Sequence, residues 1–182
     1  MQLIILEKRG VEFFVSTPII EITKNSVKSK DKTFNANTII WTTGVKGSHV
    51  IADSGYSQRR NRVMVKDDLS SSDDPNEFII GDVSAVMSAS GRPYPTTGQI
   101  SIAQANFAAK NIDARIKGQE TKKFTFKSLG TVCSLGPKNG VAEINVLGHW
   151  KLKGREVGPL KKIVNDRSVL ELSNFKEMLA SR

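Results

Sequence analysis

The chain has 182 residues, 38% of them hydrophobic, and a formal net charge of +9. This length can bury a core and suits one domain or two small ones, and no apolar run approaches the roughly 18 residues of a membrane-spanning helix. The single cysteine, Cys133, excludes an internal disulfide and a two-cysteine redox relay in this chain, while two histidines are too few for a metal site unless carboxylates help. The N-terminal apolar stretch is too short for a secretory signal, so we predict a cytoplasmic, metal-free protein whose redox chemistry would need a cofactor.

The N-terminal forty residues are predicted to form a meander of strands. Three apolar segments favour strand, at residues 11–15, 19–22 and 37–41. Residues 42–76 are rich in Gly, Ser, Asp and Arg, and we predict mostly loop there, with one short strand at 62–65.

A buried strand is predicted at Phe78–Ile80, and it ends in Gly81-Asp82. Two interpretations compete for this carboxylate. In the first, Asp82 is a helix N-cap and Gly81 supplies an unusual φ angle. In the second, the strand end is a ligand edge, where open α/β sheets bind cofactors and a carboxylate accepts hydrogen bonds from hydroxyl groups.

The second half of the chain contains one long predicted helix, and the segment after it is predicted to be rich in strands. The helix covers residues 99–116, with Gly118 placed to end it. The remaining predicted elements are strands at 124–126, 131–135 and 141–147, a hairpin turn at 137–140, and two short amphipathic helices at 160–164 and 175–179.

Three stretches in this order resemble a known family. They are IIWTTGV (39–45), EFIIGDVSA (77–85) and GRPYPTTGQISIAQANFAAKNI (91–112), and FKSLGTVCSLG (126–136) adds to the likeness. Together they resemble the C-terminal half of the type II NADH:quinone oxidoreductases, single-subunit flavoproteins with two dinucleotide-binding domains.

The resemblance implies a fold class and a domain organisation. The expected class is α+β: the C-terminal part of a two-dinucleotide-binding-domain flavoprotein, followed by a small strand-plus-helix C-terminal domain. Residues 1–41 would be the tail of the NADH-binding domain, 42–118 the C-terminal part of the FAD-binding domain, and 119–182 a strand hairpin with basic amphipathic helices that dock on a membrane.

The resemblance also implies a set of FAD-binding residues. The aspartate after the strand-end glycine would bind the ribityl chain of FAD, and the helix N-terminus would offer N–H donors to the flavin edge that gains negative charge on reduction. The implied residues are Gly44, Gly81, Asp82, Thr97, Gly98 and Gln99. No side chain is required as a nucleophile, so no catalytic residue is assigned.

The quinone site of the family corresponds to Gln99 and Ala103 in this sequence. The family carries an Ala-Gln-x-Ala-x-Gln pattern, and here its second glutamine is replaced by Ala103, with Gln104 one position later. One residue turns a side chain by about 100° around a helix, so Gln104 is not a simple substitute.

The nucleotide-binding fingerprints of the family are missing from this sequence. It contains neither G-x-G-x-x-G nor a phosphate-binding lysine loop. We therefore expect a chain that is inactive alone and that works with a missing N-terminal half or in a homo-oligomer, with FAD as cofactor, NADH as substrate and a quinone as electron acceptor.

Most of the positive charge lies near the C-terminus. Residues 117–182 hold 13 Lys or Arg and 6 Asp or Glu. Residues 155–182 place lysines beside apolar residues, which predicts reversible docking on an anionic membrane, at the inner face of the cell membrane. The alternative is a non-catalytic basic module that docks on an anionic membrane or a partner flavoprotein. The basic region has no interleaved aromatic residues, which argues against nucleic acid.

Overall fold

The computed structural model describes residues 2–136, 139–146 and 148–172. They form two compact units, each considered by itself below. The terminal unit contains the described residues up to Ile40 and from Ser128 onward, and the central unit is Trp41–Lys127. No helix in the described part of the chain is long and apolar enough to cross a membrane.

The N-terminal segment of the terminal unit is a short helix followed by a three-stranded antiparallel meander. The elements are α1 (Gln2–Glu7), β1 (Ile19–Ile22), β2 (Ser26–Ser29) and β3 (Thr33–Asn35), with β2 in the centre. The predicted strand at 19–22 is confirmed. The strands predicted at 11–15 and 37–41 are wrong, because neither segment enters a ladder; Phe14 instead packs its ring on Phe34, with centroids 4.7 Å apart.

The C-terminal segment of the terminal unit is a second antiparallel meander with a helix after it. The elements are β7 (Gly130–Ser134), β8 (Gly140–Ile144), β9 (Trp150–Gly154) and α4 (Val157–Leu172), and α4 contacts all three strands. A Cβ at Gly140 would lie 2.7 Å from Val157 Cγ1, so only glycine lets the start of α4 pack this closely on β8.

Several predictions for this segment are confirmed. Strands occupy 131–134 and 141–144, joined as an antiparallel hairpin, and the helix at 160–164 lies within α4. Strand β9 was not predicted. Three other predictions lie partly or wholly outside the described residues: the hairpin turn at Pro137 and Lys138, the strand at 141–147 at its last residue, Leu147, and the helix at 175–179 entirely.

The central unit packs one long helix against short strands and loops. The elements are α2 (His49–Asp53), β4 (Gln58–Arg59), β5 (Arg62–Met64), β6 (Ser84–Ala85) and α3 (Gly98–Ile116); β5 pairs with β4 antiparallel and with β6 parallel. The strand predicted at 62–65 and the helix predicted at 99–116 are confirmed, and Gly118 follows the helix with φ +66°. The core contains Ile51, Val63, Val65, Leu69, Val86, Ala108 and Phe124.

Two predicted strands of the central unit are wrong. At Phe78–Ile80 there is only a single bridge between Ser70 and Phe78, followed by a bond from Ile79 N–H to Leu69 O of 3.1 Å. The segment is apolar because its side chains pack against the core from a loop. Residues 124–126 are also irregular, and the buried ring of Phe124 contacts the Tyr94 and Phe107 rings edge-on.

Candidate cofactor site

The apolar 78–80 segment ends in a single 3₁₀ turn, Gly81–Val83, which we call the Gly81 turn. Gly81 has φ +75°, a conformation that favours glycine. The residue at the N-cap of this turn is Ile80, and Asp82 lies within the turn with an exposed side chain. The N-cap interpretation of Asp82 is therefore wrong. The carboxylate is available to solvent or to a ligand.

A buried glutamine of α3 is hydrogen-bonded to the Gly81 turn. Gln104 Oε1 accepts a hydrogen bond from Gly81 N–H at 2.6 Å, and Ser84 Oγ lies 3.3 Å from the same oxygen. Ser84 Oγ also donates to Gly81 O at 3.0 Å. Gln104 is 2% exposed and Ser84 is fully buried. The turn is thus joined to the second turn of α3 by hydrogen bonds that water does not compete for.

The first turn of α3 lies next to the Gly81 turn. Thr97 is the N-cap and its Oγ accepts from Ile100 N–H at 3.4 Å, while Ser101 Oγ donates to Thr97 O at 3.2 Å. A Cβ built on Gly81 would lie 3.8 Å from that same Ser101 Oγ. Gly98 is exposed, with open space where a Cβ would stand. The helix N-terminus therefore begins at an open surface beside the turn that carries Asp82.

Two of the predicted residues are not joined to this group by any described contact. Gly44 has φ +74°, and a Cβ there would meet no atom within 4 Å. Ala103 packs against the core of the central unit. The remaining predicted residues, Gly81, Asp82, Thr97, Gly98 and Gln99, belong to the Gly81 turn and the start of α3.

Sequence reasoning did not assign a role to Gln104, although a signal for it was present. The buried positions of α3 are Ile100, Gln104, Ala108 and Asn111, which follow helical spacing along one stripe. A glutamine within the core-facing stripe of a helix must have a buried hydrogen-bond partner. That partner is the Gly81 turn.

An arginine binds the backbone on the C-terminal side of the Gly81 turn. Arg62 on β5 donates from Nε and Nη2 to Ser84 O at 3.0 and 2.7 Å, and from Nη2 to Tyr94 O at 3.2 Å. This fork joins the residue after the Gly81 turn to the segment that leads into α3. The carbonyls are fixed without any contact to Asp82.

A network around Asp68 supports the loop that precedes the turn. Its carboxylate accepts hydrogen bonds from Ser70 Oγ at 2.6 Å, from Thr121 Oγ1 at 2.8 Å and from Arg115 Nη2 at 3.1 Å. Burial alone would raise the pKa of Asp68, but the hydrogen bonds and the arginine charge outweigh it and lower the pKa below its ordinary value. Asp68 is therefore a structural carboxylate, in contrast to exposed Asp82.

A second titratable group lies near the start of the 78–80 segment. Tyr56 Oη donates to Glu77 Oε2 at 2.9 Å, and this bond raises the pKa of Tyr56 above its ordinary value. Within the described ranges, no group of three or more His, Cys, Asp or Glu is arranged to hold a metal ion.

The hydrogen-bonding groups of this site match one part of a flavin nucleotide. An exposed carboxylate on a glycine turn can accept hydrogen bonds from the hydroxyls of a ribityl chain, and the adjacent helix N-terminus can face an anionic edge. The open space at Gly98 leaves room for such a group. The residues present therefore fit the flavin and ribityl portion of FAD.

Comparison with known proteins identifies the family of the chain. Residues 3–109 match the family described as pyridine nucleotide-disulphide oxidoreductase. The chain belongs to that family. It is also 36% identical, over 175 residues and 93% of its length, to the type II NADH:quinone oxidoreductase of Staphylococcus saprophyticus. The expected family resemblance is confirmed. The chain spans 43% of the length of that relative.

Solved structures give the same fold. The NDH2 of Plasmodium falciparum, solved in complex with NADH, matches 93% of this chain with a TM-score of 0.70 and 13% identity, over 50% of its own length. The sulfide:quinone oxidoreductase of Aquifex aeolicus matches 89% of this chain with a TM-score of 0.69 and 16% identity, over 42% of its own length. The predicted flavoprotein fold class, mixing helices and sheets, is confirmed.

Proposed function

We propose that this chain is the C-terminal portion of an FAD-dependent NADH:quinone oxidoreductase. The observation that carries the proposal is the Gly81 turn, where Asp82 is exposed immediately after a positive-φ glycine and beside the N-terminus of α3. The similarity to a type II NADH:quinone oxidoreductase along 93% of the chain supports the same role.

The chain contributes binding and orientation. Bound FAD would supply the redox chemistry, accepting hydride from NADH and passing electrons to a quinone. Asp82 accepts hydrogen bonds from the ribityl hydroxyls, and Gly81 lets the cofactor approach the backbone. The N–H groups at the start of α3, those of the N-cap Thr97 and of Gly98 and Gln99, stabilise negative charge at the flavin edge.

Two further site assignments belong to the proposal without a described contact to the turn. Gly44 lies where the chain returns from the NADH-binding part to the FAD-binding part, and its positive φ suits a sharp turn there. Gln99 and Ala103 border the quinone, with Gln99 supplying the polar contact to the headgroup. Gln99 is exposed at the start of α3, where a substrate can reach it.

The active assembly requires residues that this sequence does not contain. The 182 residues hold no Gly-rich nucleotide fingerprint, so the ADP half of FAD and the NADH bind through an N-terminal half, and the chain alone is inactive. A homo-oligomer is the other arrangement that the proposal allows for completing the site.

The first turns of helix α4 provide the proposed contact with the membrane. Lys161 and Lys162 are exposed, and so are the neighbouring apolar side chains Ile163 and Val164, at 64% and 42%. Lysines attract anionic headgroups while exposed apolar side chains enter the interface, which gives reversible attachment at the inner face of the cell membrane. A membrane-dissolved quinone would then be close to its site.

A chimera tests the proposal. Residues 1–182 replace the matching segment of the Staphylococcus saprophyticus relative, and the purified protein is measured for visible flavin absorbance and for NADH-dependent quinone reduction. The proposal requires a yellow, active chimera. The controls are the relative without its matching segment and this chain alone, both of which should be colourless. A folded chimera that binds no flavin would contradict the proposal.

A further inference from the structure

We propose that Gln104 is the positioning residue of the cofactor carboxylate: it holds the Gly81 turn in the one conformation that presents Asp82 to FAD. This inference rests on the proposed function, because it assigns Gln104 a role in a site that the chain is proposed to contain. Gln104 acts through Gly81 and touches neither substrate nor cofactor.

The hydrogen-bond geometry singles out one oxygen atom. Gln104 Oε1 lies 2.6 Å from Gly81 N and 3.3 Å from Ser84 Oγ, so it receives the first N–H of the turn and borders the hydroxyl that closes it. Gly81 and Gln104 are 23 positions apart in sequence, and this bond joins the backbone of the turn directly to α3. The backbone N–H of Gly81 has no other partner among the described hydrogen bonds.

Burial decides between two roles for Gln104. A quinone ligand must expose its amide to the substrate, whereas Gln104 is 2% exposed and faces the interior of the central unit. A buried amide oxygen that accepts a backbone N–H instead fixes that backbone in place. Gln104 therefore does not take the place of the glutamine that Ala103 replaces.

The conformation of Gly81 explains why the bond matters for Asp82. Gly81 adopts φ +75°, and glycine has several other conformations of similar energy. Without Gln104 Oε1, the partly buried Gly81 N–H loses its acceptor, and the turn relieves this cost by rearranging. Asp82 is the next residue, so its carboxylate then samples orientations that do not meet the ribityl hydroxyls. FAD must reorder the turn when it binds, which weakens affinity.

The same helix offers a matched control. Asn111 is also 2% exposed and also holds distant backbone, donating from Nδ2 to Asp68 O at 3.0 Å and to Lys122 O at 2.9 Å. Neither of these partners belongs to the Gly81 turn. Replacing either residue removes buried hydrogen bonds from α3, but only Gln104 contacts the turn that carries Asp82.

The experiment titrates FAD into the apo chimera and into four variants of it, and it measures the FAD dissociation constant of each. Gln104→Leu should bind FAD about tenfold more weakly, and Gln104→Glu, which keeps an acceptor oxygen, should bind within a few-fold of wild type. Asn111→Leu should lower the unfolding midpoint without changing FAD affinity. Asp82→Ala tests the proposed site itself.

The outcomes separate the two claims. If Asp82→Ala weakens FAD binding and Gln104→Leu does not, the positioning role is wrong and the site stands. If Asn111→Leu weakens binding as much as Gln104→Leu, or if Gln104→Glu restores nothing, the effect is general destabilisation and the inference is wrong. If Asp82→Ala has no effect on FAD binding, the proposed cofactor site is wrong, and the role of Gln104 that depends on it is wrong as well.

A measurement on the chimera with no substitution remains decisive even if Gln104→Leu does not fold. Amide hydrogen exchange followed by NMR should show Gly81 N–H protected to a degree comparable with the central amides of α3, because its acceptor is buried. Fast exchange at Gly81 beside protected α3 amides would overturn the inference.

Discussion

Arg115 in the last turns of α3 and Asp68 in the loop after β5 form an ion pair, with 3.1 Å between Nη2 and Oδ2. The pair is mostly buried, with side-chain exposures of 30% for Arg115 and 16% for Asp68. The guanidinium also lies 5.0 Å from the centre of the Phe78 ring, just before the Gly81 turn. The C-terminal end of α3 thus holds the loop that leads into the candidate site, while Gln104 holds the turn itself.

Replacing Asp68 should destabilise the central unit. Asp68→Asn removes the charge that faces Arg115, whose Nη1 is already buried and lacks a hydrogen-bond partner within the described residues, so we expect a loss of about 2 kcal/mol in the free energy of unfolding. The control is Asp113→Asn, which breaks an exposed pair with Lys117, the C-cap residue of α3, and should cost under about 0.5 kcal/mol. Urea titrations give both values.

The pH dependence follows from the same carboxylate. Because the pKa of Asp68 is lower in the folded chain than its ordinary value of about 3.9, the unfolded state takes up the proton first as pH falls. The stabilisation is present above about pH 4 and is lost as pH falls through the lowered pKa. Asp68→Asn should flatten this acid-side slope. An unchanged slope, or equal stability losses for Asp68→Asn and Asp113→Asn, would contradict the assignment.

The elements that sequence predicted correctly are governed by local interactions. Helix α3 has apolar residues at helical spacing, a threonine cap at Thr97 and Gly118 after its last turn, all within one segment. Strands β7 and β8 form a hairpin, so the residues that pair are close in sequence. Such features leave a signal in a short window of residues.

The errors arise where distant contacts replace local preference. Phe78–Ile80 resembles a buried strand because its side chains are buried, but its backbone makes only one bridge, to Ser70. Strand β6 has two residues and exists because β5 lies parallel to it, with each residue of β6 pairing with a residue 21 positions earlier in the sequence. The role of Gln104 depends on a similar long-range contact. The sequence does not reveal from which backbone N–H a buried glutamine accepts a hydrogen bond.

The quinone assignment of Gln99 predicts a difference between two half-reactions. In the active chimera, Gln99→Leu should slow quinone reduction by about tenfold, since a polar contact to the headgroup is lost, while reduction of the flavin by NADH should keep its rate. Stopped-flow absorbance follows both steps separately. The control is Gln119→Leu, an exposed glutamine beyond the end of α3. Equal slowing of both half-reactions would remove Gln99 from the quinone site.

Membrane attachment through α4 predicts a charge-dependent loss of binding. Changing Lys161 and Lys162 together to Gln should weaken binding to anionic vesicles by about fivefold per lysine, with the loss most evident at low salt. Lys122 and Lys123, also exposed, provide a double substitution with the same change in charge. Co-sedimentation with vesicles measures both. If the two double variants bind alike, net charge and not α4 governs attachment.

The most direct test of the central claim is the FAD affinity of Asp82→Ala in the chimera, measured by titration of the apo protein. Losing a charge-assisted acceptor for the ribityl hydroxyls should weaken FAD binding by about 10- to 100-fold, with the unfolding midpoint unchanged because the side chain is exposed. Asp113→Ala, which removes an exposed carboxylate at the other end of α3, should bind FAD like wild type. Equal FAD affinity for wild type and folded Asp82→Ala would contradict the account.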